Sequence, residues 1–161
     1  MQPQDVPHAP RDDAAPAVLD TNVVLALYWF QDARLGRLAQ ALQTGQLRWL
    51  ATSEMRQELV HVLARWQGDS AARGPSSGLP EEGPGIQDVL RMFDRLAEQV
   101  TASPAGPTPR CTDSADQKFI DLALSSRSSW LLSRDRAVLK LRRKLLAIAG
   151  CTVQRPEDWP G

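Results

Sequence analysis

Cysteine and histidine are scarce in this chain. Cys111 and Cys151 lie far apart with no metal-type spacing, and His8 and His61 form no cluster with them. That excludes a cysteine–histidine zinc site. Both thiols are expected to be free and buried, in a reducing compartment. No run of about 18 apolar residues occurs, so no membrane-spanning segment is expected. The first residues lack a basic segment followed by an apolar one, so no signal peptide is expected and the cytoplasm is the expected location. Net charge is missing as well: 19 Lys and Arg balance 19 Asp and Glu. No global field draws in a polyanion, and any site for one must be a local patch. His8 is expected to be idle, and His61 to be a surface or half-buried residue and not a ligand.

What is present suits a single globular domain. The chain has 161 residues, 42% hydrophobic and 24% charged, enough for one sizeable core. Residues 1–15 are polar, with Pro3, Pro7 and Pro10, and read as a disordered tail. Residues 16–161 read as one domain with a flexible Gly/Ser/Pro-rich loop at 67–85.

The organising stretch is Ala17 to Leu25. A short apolar run stops at Asp20-Thr21-Asn22 and then resumes. Such a run fits a buried parallel strand, and the polar triplet fits a turn into a helix starting near Val23. Downstream, helices are expected over 34–44 and from Ser53 onward, the latter with Met55, Leu59, Val62, Leu63 and Trp66 on its apolar stripe. Leu47 to Ala51 reads as a strand between them. Another helix is expected over 86–100. Ser114 and Gln117 fit a capping box for a helix that buries Phe119, Ile120 and Ala123. Trp130 to Ser133 reads as a strand, 138–149 as a basic amphipathic helix closed by Gly150, and Thr152 to Gln154 as an edge strand. Strands alternating with helices predict a three-layer α/β/α sandwich around a central parallel sheet.

Four acids fall where that sheet would gather them. Asp20 and Asp135 follow strands, Asp116 opens a helix on its core face, and Glu58 lies in the first turns of another. In an open parallel sheet, ligands bind at the carboxyl ends of the strands. Carboxylates crowded there repel one another unless a cation is present. Oxygen ligands of this kind suit Mg²⁺ or Mn²⁺. Asp121 falls on another helix face and reads as solvated.

Leu19-Asp20-Thr21-Asn22, Ser53 to Glu58-Leu59, Asp116 to Ile120 with Ala123, and Leu131 to Asp135 together resemble the successive motifs of PIN domains. The resemblance covers about residues 17–159. The Cys111-x-Asp113-x-x-Asp116-x-Lys118-Phe119 stretch and the closing Arg155-Pro156-Glu157-Asp158 are similar to a bacterial branch regarded as toxin components of toxin–antitoxin pairs. The resemblance implies a Mg²⁺- or Mn²⁺-dependent ribonuclease with Asp20, Glu58, Asp116 and Asp135 as catalytic metal ligands. Thr21, Asn22, Asp113 and Ser133 would support them. RNA would be the substrate, with a cognate antitoxin as partner and a homodimer left open. Many relatives of this branch carry one more acid two residues after the last, where this chain has Ala137.

Cations follow the last acidic motif: Arg134, Arg136, Lys140, Arg142, Arg143 and Lys144. Arg134 and Arg136 are the expected phosphate contacts, with pairing to neighbouring carboxylates as the structural alternative. Two other functions compete. An aspartate-nucleophile phosphatase would want a second Asp where Asn22 stands. A degenerate PIN-like module that binds RNA or protein without cutting would not need the intact acid set.

Overall fold

The computed structural model describes residues 13–72, 84–103 and 106–161. Its five strands are β1 (Ala15–Leu19), β2 (Leu47–Ala51), β3 (Ala97–Gln99), β4 (Trp130–Leu132) and β5 (Thr152–Gln154). They form one wholly parallel sheet in the order β3-β2-β1-β4-β5. Neighbouring residues of a strand face opposite ways, yet Ala17, Val18 and Leu19 are all buried, as are Leu131 and Leu132. Both faces of the central strands are therefore covered, which is why these strands read as unbroken apolar runs.

Helices α1 (Thr21–Tyr28) and α2 (Gly36–Gln43) join β1 to β2. Helices α3 (Ser53–Ala72) and α4 (Ile86–Leu96) join β2 to β3. The chain then returns through α5 (Gln117–Ser125) to β4, and α6 (Arg136–Leu139) and α7 (Arg142–Ala149) lead to β5. Right-handed crossovers put α1–α4 on one face, and the reversed direction of travel puts α5–α7 on the other. This is the expected α/β/α sandwich. Trp49 of β2 marks the first face: its ring stacks 6.2 Å from Tyr28 of α1 and meets Phe93 of α4 edge-on at 5.0 Å. Among the described residues no helix is long and apolar enough to cross a membrane.

Several elements differ from expectation. Helix α1 starts at Thr21 rather than near Val23, because Asp20 caps it by accepting the Asn22 N–H at 3.2 Å. The helix expected over 86–100 ends at Leu96, and Ala97–Gln99 become edge strand β3. Glu98 there takes two hydrogen bonds from Arg48 of β2, at 2.7 and 2.9 Å, and the Val100 N–H reaches Ala51 O. This cross-strand pairing overrides a helical pattern that runs on through Ala97 and Val100. Helix α3 continues to Ala72, so the first part of the expected 67–85 loop is helical. Residues 73–83 lie outside the described residues, as do 1–12 of the expected tail, and Ala15 at that tail's end already belongs to β1. The helix expected over 138–149 is two pieces. The Leu141 N–H bonds to Val138 O, and this tightened turn keeps Val138, Leu141 and Leu145 all in the core.

Asp113, not Ser114, caps the turn before α5, and the Gln117 side chain bonds instead to Cys111 N, Pro109 O and Asp121. Asp121 is thus half-buried and hydrogen-bonded rather than solvated. Trp66 is 43% exposed and meets Phe30 edge-on at 5.3 Å instead of entering the core. Both cysteines are free, Cys151 buried and Cys111 half-buried. Gly45 and Gly150 close α2 and α7 in the left-handed conformation that favours glycine.

Trp49 fills the centre of the α1–β2–α4 layer, but its Nε1–H makes no hydrogen bond. Trp49→Ala should cost about 3–5 kcal/mol. Trp49→Phe forfeits no hydrogen bond and should cost clearly less. Urea unfolding of both variants measures the difference.

Candidate functional site

Every strand of a parallel sheet delivers its carboxyl end to the same edge, and each following helix starts there. At this edge Thr52 begins α3 by accepting the Met55 N–H at 3.3 Å, while Asp20 begins α1. The sequence thus supplies a row of polar residues where the apolar strands stop.

Asp20 is 3% exposed. Its Oδ2 accepts the hydroxyl of Ser133 at 2.6 Å. Ser133 follows β4, is wholly buried, and its Oγ also accepts the Asp135 N–H at 3.0 Å. Asp135 in turn caps α6 by accepting the Ala137 N–H at 2.8 Å. One hydroxyl therefore joins the ends of two neighbouring strands and sets the spacing of their acids.

Asp116 enters from the short 3-10 turn Ser114–Asp116. A carboxylate oxygen from each of Asp113, Asp116 and Asp135 lies within 4.8 Å of the other two. Asp116 is buried, and its Oδ2 has no hydrogen-bond partner. Glu58 stands on the flank. Its Oε2 accepts the Thr21 hydroxyl at 2.8 Å and pairs with the Lys118 ammonium at 3.2 Å. Lys118 also donates to Ala115 O.

The structure thus brings Asp116 and Asp135 together with Asp113, which the resemblance places only in a supporting role. Asp20 is tied to them through Ser133, and Glu58 adjoins through Thr21 and Lys118. Asn22 is exposed and contributes its backbone N–H rather than its side-chain amide. Lys118 was not singled out from sequence. Its signal was its place two residues after Asp116, a lone lysine among the acids of this edge. Arg134 is committed to carboxylates: it donates to Glu157 and to Asp32, each at 3.0 Å. Arg136 is exposed and makes no ion pair among the described residues.

The electrostatics follow from this crowding. Burial, a hydrogen bond with Asp135, and the charges of Asp20, Asp135 and Asp113 push Asp116 up to about 7. Burial raises Asp20 as well, with Asp135 and Glu58 adding to it and the Ser133 and Asn22 hydrogen bonds opposing it. Where acids hold protons this tightly and one buried oxygen is bare, a hard dication fits. The donors are all oxygen, the set that Mg²⁺ and Mn²⁺ take.

The shift of Asp116 has a stability consequence. Between its ordinary 3.8 and about 7, the folded side chain keeps a proton that the unfolded one has released. Stability from this group therefore falls as pH rises through that window. Asp116→Asn removes the slope. Without divalent ions the variant should melt higher than the parent above pH 7, and the gap should close toward about pH 4. Thermal melts across this range check it.

A family model described as PIN domain matches residues 16–137, well over half of the chain. No curated protein and no solved structure matches. PIN domains are generally nucleases that use divalent metals and act on RNA. The match begins one residue into β1 and ends just past Asp135, so it contains every acid placed at the sheet edge, and the chain belongs to the PIN domain family.

Proposed function

We propose that the protein is a metal-dependent endoribonuclease that hydrolyses RNA phosphodiester bonds at Asp20, Glu58, Asp116 and Asp135, with Asp113 beside them. The observation that carries this is buried Asp116, which has one oxygen without a hydrogen-bond partner and clusters with the carboxylates of Asp113 and Asp135. Mg²⁺ or Mn²⁺ bound there would lower the pKa of a bound water and offset charge on the phosphate. The chain's own residues prepare the place. Asp113, Asp116 and Asp135 present oxygens from two segments. Each Asp20 oxygen keeps acceptor capacity beyond its one hydrogen bond. Asp20 can therefore hold a cation, or accept a proton from an attacking water, while Ser133 fixes its rotamer. Arg136, exposed beside Asp135, is the phosphate contact in this reading, since Arg134 is already paired.

The 111–119 stretch and the closing Arg155 to Asp158 segment support a setting as the toxin of a toxin–antitoxin pair, acting in the cytoplasm. The rival reading, a degenerate module that binds without cutting, is disfavoured because the sequence keeps all four acids of the motifs.

Purified protein should cut single-stranded RNA with Mg²⁺ or Mn²⁺ and stop when the ion is chelated. Asp20→Asn should lower the rate by about 10²-fold or more, while keeping the α1 cap and a melting temperature no lower than the parent's without metal. A variant that cuts at the parental rate with Mg²⁺ contradicts the role of Asp20. If the parent binds Mn²⁺ but leaves RNA intact, the binding-module reading takes its place.

A further inference from the structure

Three helices meet over Glu58. Thr21 is the first residue of α1, Lys118 lies in the first turn of α5, and Glu58 lies in the second turn of α3. Helices α1 and α3 belong to one layer and α5 to the other. The Lys118–Glu58 pair therefore spans the carboxyl edge of the sheet and ties the two layers together.

Local helix energetics give no reason for a lysine there. A cation in the first turn opposes the helix dipole. The reason must be tertiary, and the contacts supply it. The Lys118 side chain is 15% exposed, and its ammonium is fixed by Ala115 O and Glu58 Oε2. Thr21 donates to the same Glu58 oxygen. The Thr21 hydrogen bond and the Lys118 ion pair both fall on Oε2 and hold the carboxylate in one orientation, while Oε1 has no hydrogen bond among the described residues. An ion pair this enclosed and this constrained differs from an exposed surface pair, whose geometry is loose.

We infer that Lys118 is a positioning residue of the acidic site, acting through Glu58. The inference rests on the nuclease reading above. Lys118 does not grip the substrate in this account. It aims Glu58 and balances its charge, so that the remaining oxygen is presented at a fixed place.

The test is a set of variants read by two methods. Lys118→Met should lower kcat on RNA by about 10- to 100-fold, the scale of a small misplacement, with KM within about twofold of the parent. Loss of a nearby positive charge should leave Mn²⁺ affinity, measured by calorimetry, equal or several-fold tighter. A slower enzyme that binds its cation at least as well is not what a merely structural lysine would give. Lys118→Arg, which keeps the charge and can reach Glu58, should recover most of kcat. In a Glu58→Gln background, Lys118→Met should change kcat by less than about twofold, because the two act as a unit.

A full further drop in that background overturns the inference. So does a raised KM with a flatter salt dependence, since Lys118 borders a cleft of about 310 Å³ with Thr52, Ser53, Thr101 and Asp121 and would then be contacting RNA from it. Weaker Mn²⁺ binding together with a collapsed melting temperature also overturns it. If the parent binds Mn²⁺ but cuts no RNA, the nuclease reading falls separately. Mn²⁺ affinity then judges Lys118 alone: equal or tighter in Lys118→Met supports its place beside the ion, and weaker rejects it.

Discussion

A single buried hydroxyl, that of Ser133, holds the site in register. A carboxylate taken out of water costs far more than it gains unless hydrogen bonds replace the lost hydration. Asp20 receives one such bond from Ser133 and another from the Asn22 N–H. The Ser133 oxygen then accepts from Asp135 N, which sets where the next acid emerges. This arrangement is possible only because β4 lies against β1, and β4 lies there because the chain crosses back after β3. The reversal of strand order and the gathering of acids are thus one event. The place where an open sheet leaves room for a ligand is where the sequence spends its polar residues.

The site acids stand apart from the other acids of the molecule. Glu98 has Arg48, Asp94 has Arg56, and Asp32 and Glu157 share Arg134. In each of these the guanidinium holds the carboxyl below its ordinary range: Arg48 for Glu98, Arg56 for Asp94, Arg34 with Arg134 for Asp32. Glu157 is also lowered, with partial burial working against its backbone bond and Arg134. At the sheet edge the direction reverses, and Asp20 and Asp116 are raised. Folding has arginines available and uses them elsewhere. The crowding of Asp113, Asp116 and Asp135 therefore does not reflect a shortage of cations in the chain.

Much of this was legible in the residues because apolar runs and polar stops carry the information directly. The run at Ala17 to Leu19 is buried on both faces, and only a covered parallel strand tolerates that. What the sequence concealed was tertiary. Ala97 to Gln99 continue a helical pattern, and only their parallel pairing with β2, with Arg48 meeting Glu98 across it, turns them into β3. Trp66 sits on an apolar stripe whose outer end has run past the body of the protein, so it meets Phe30 near the surface. At the site, spacing located the acids but not their partners. Asp113 and Asp116 are three residues apart in any conformation, whereas Lys118 meets Glu58 only because two layers close on each other.

The cations after the last acidic motif carry a consequence for the molecule at a distance. Eight of the 19 Lys and Arg, against one of the 19 Asp and Glu, fall between Arg127 and Arg155. That span is the β4–β5 side of the sheet. A chain with no net charge thus concentrates cations on one side. Such a body is not pulled toward a polyanion from afar, but it is turned by one as the separation falls to about a Debye length, roughly 8–10 Å in physiological salt. Its encounters would be governed by torque rather than by attraction, with the β4–β5 edge arriving first and Asp135 close behind it.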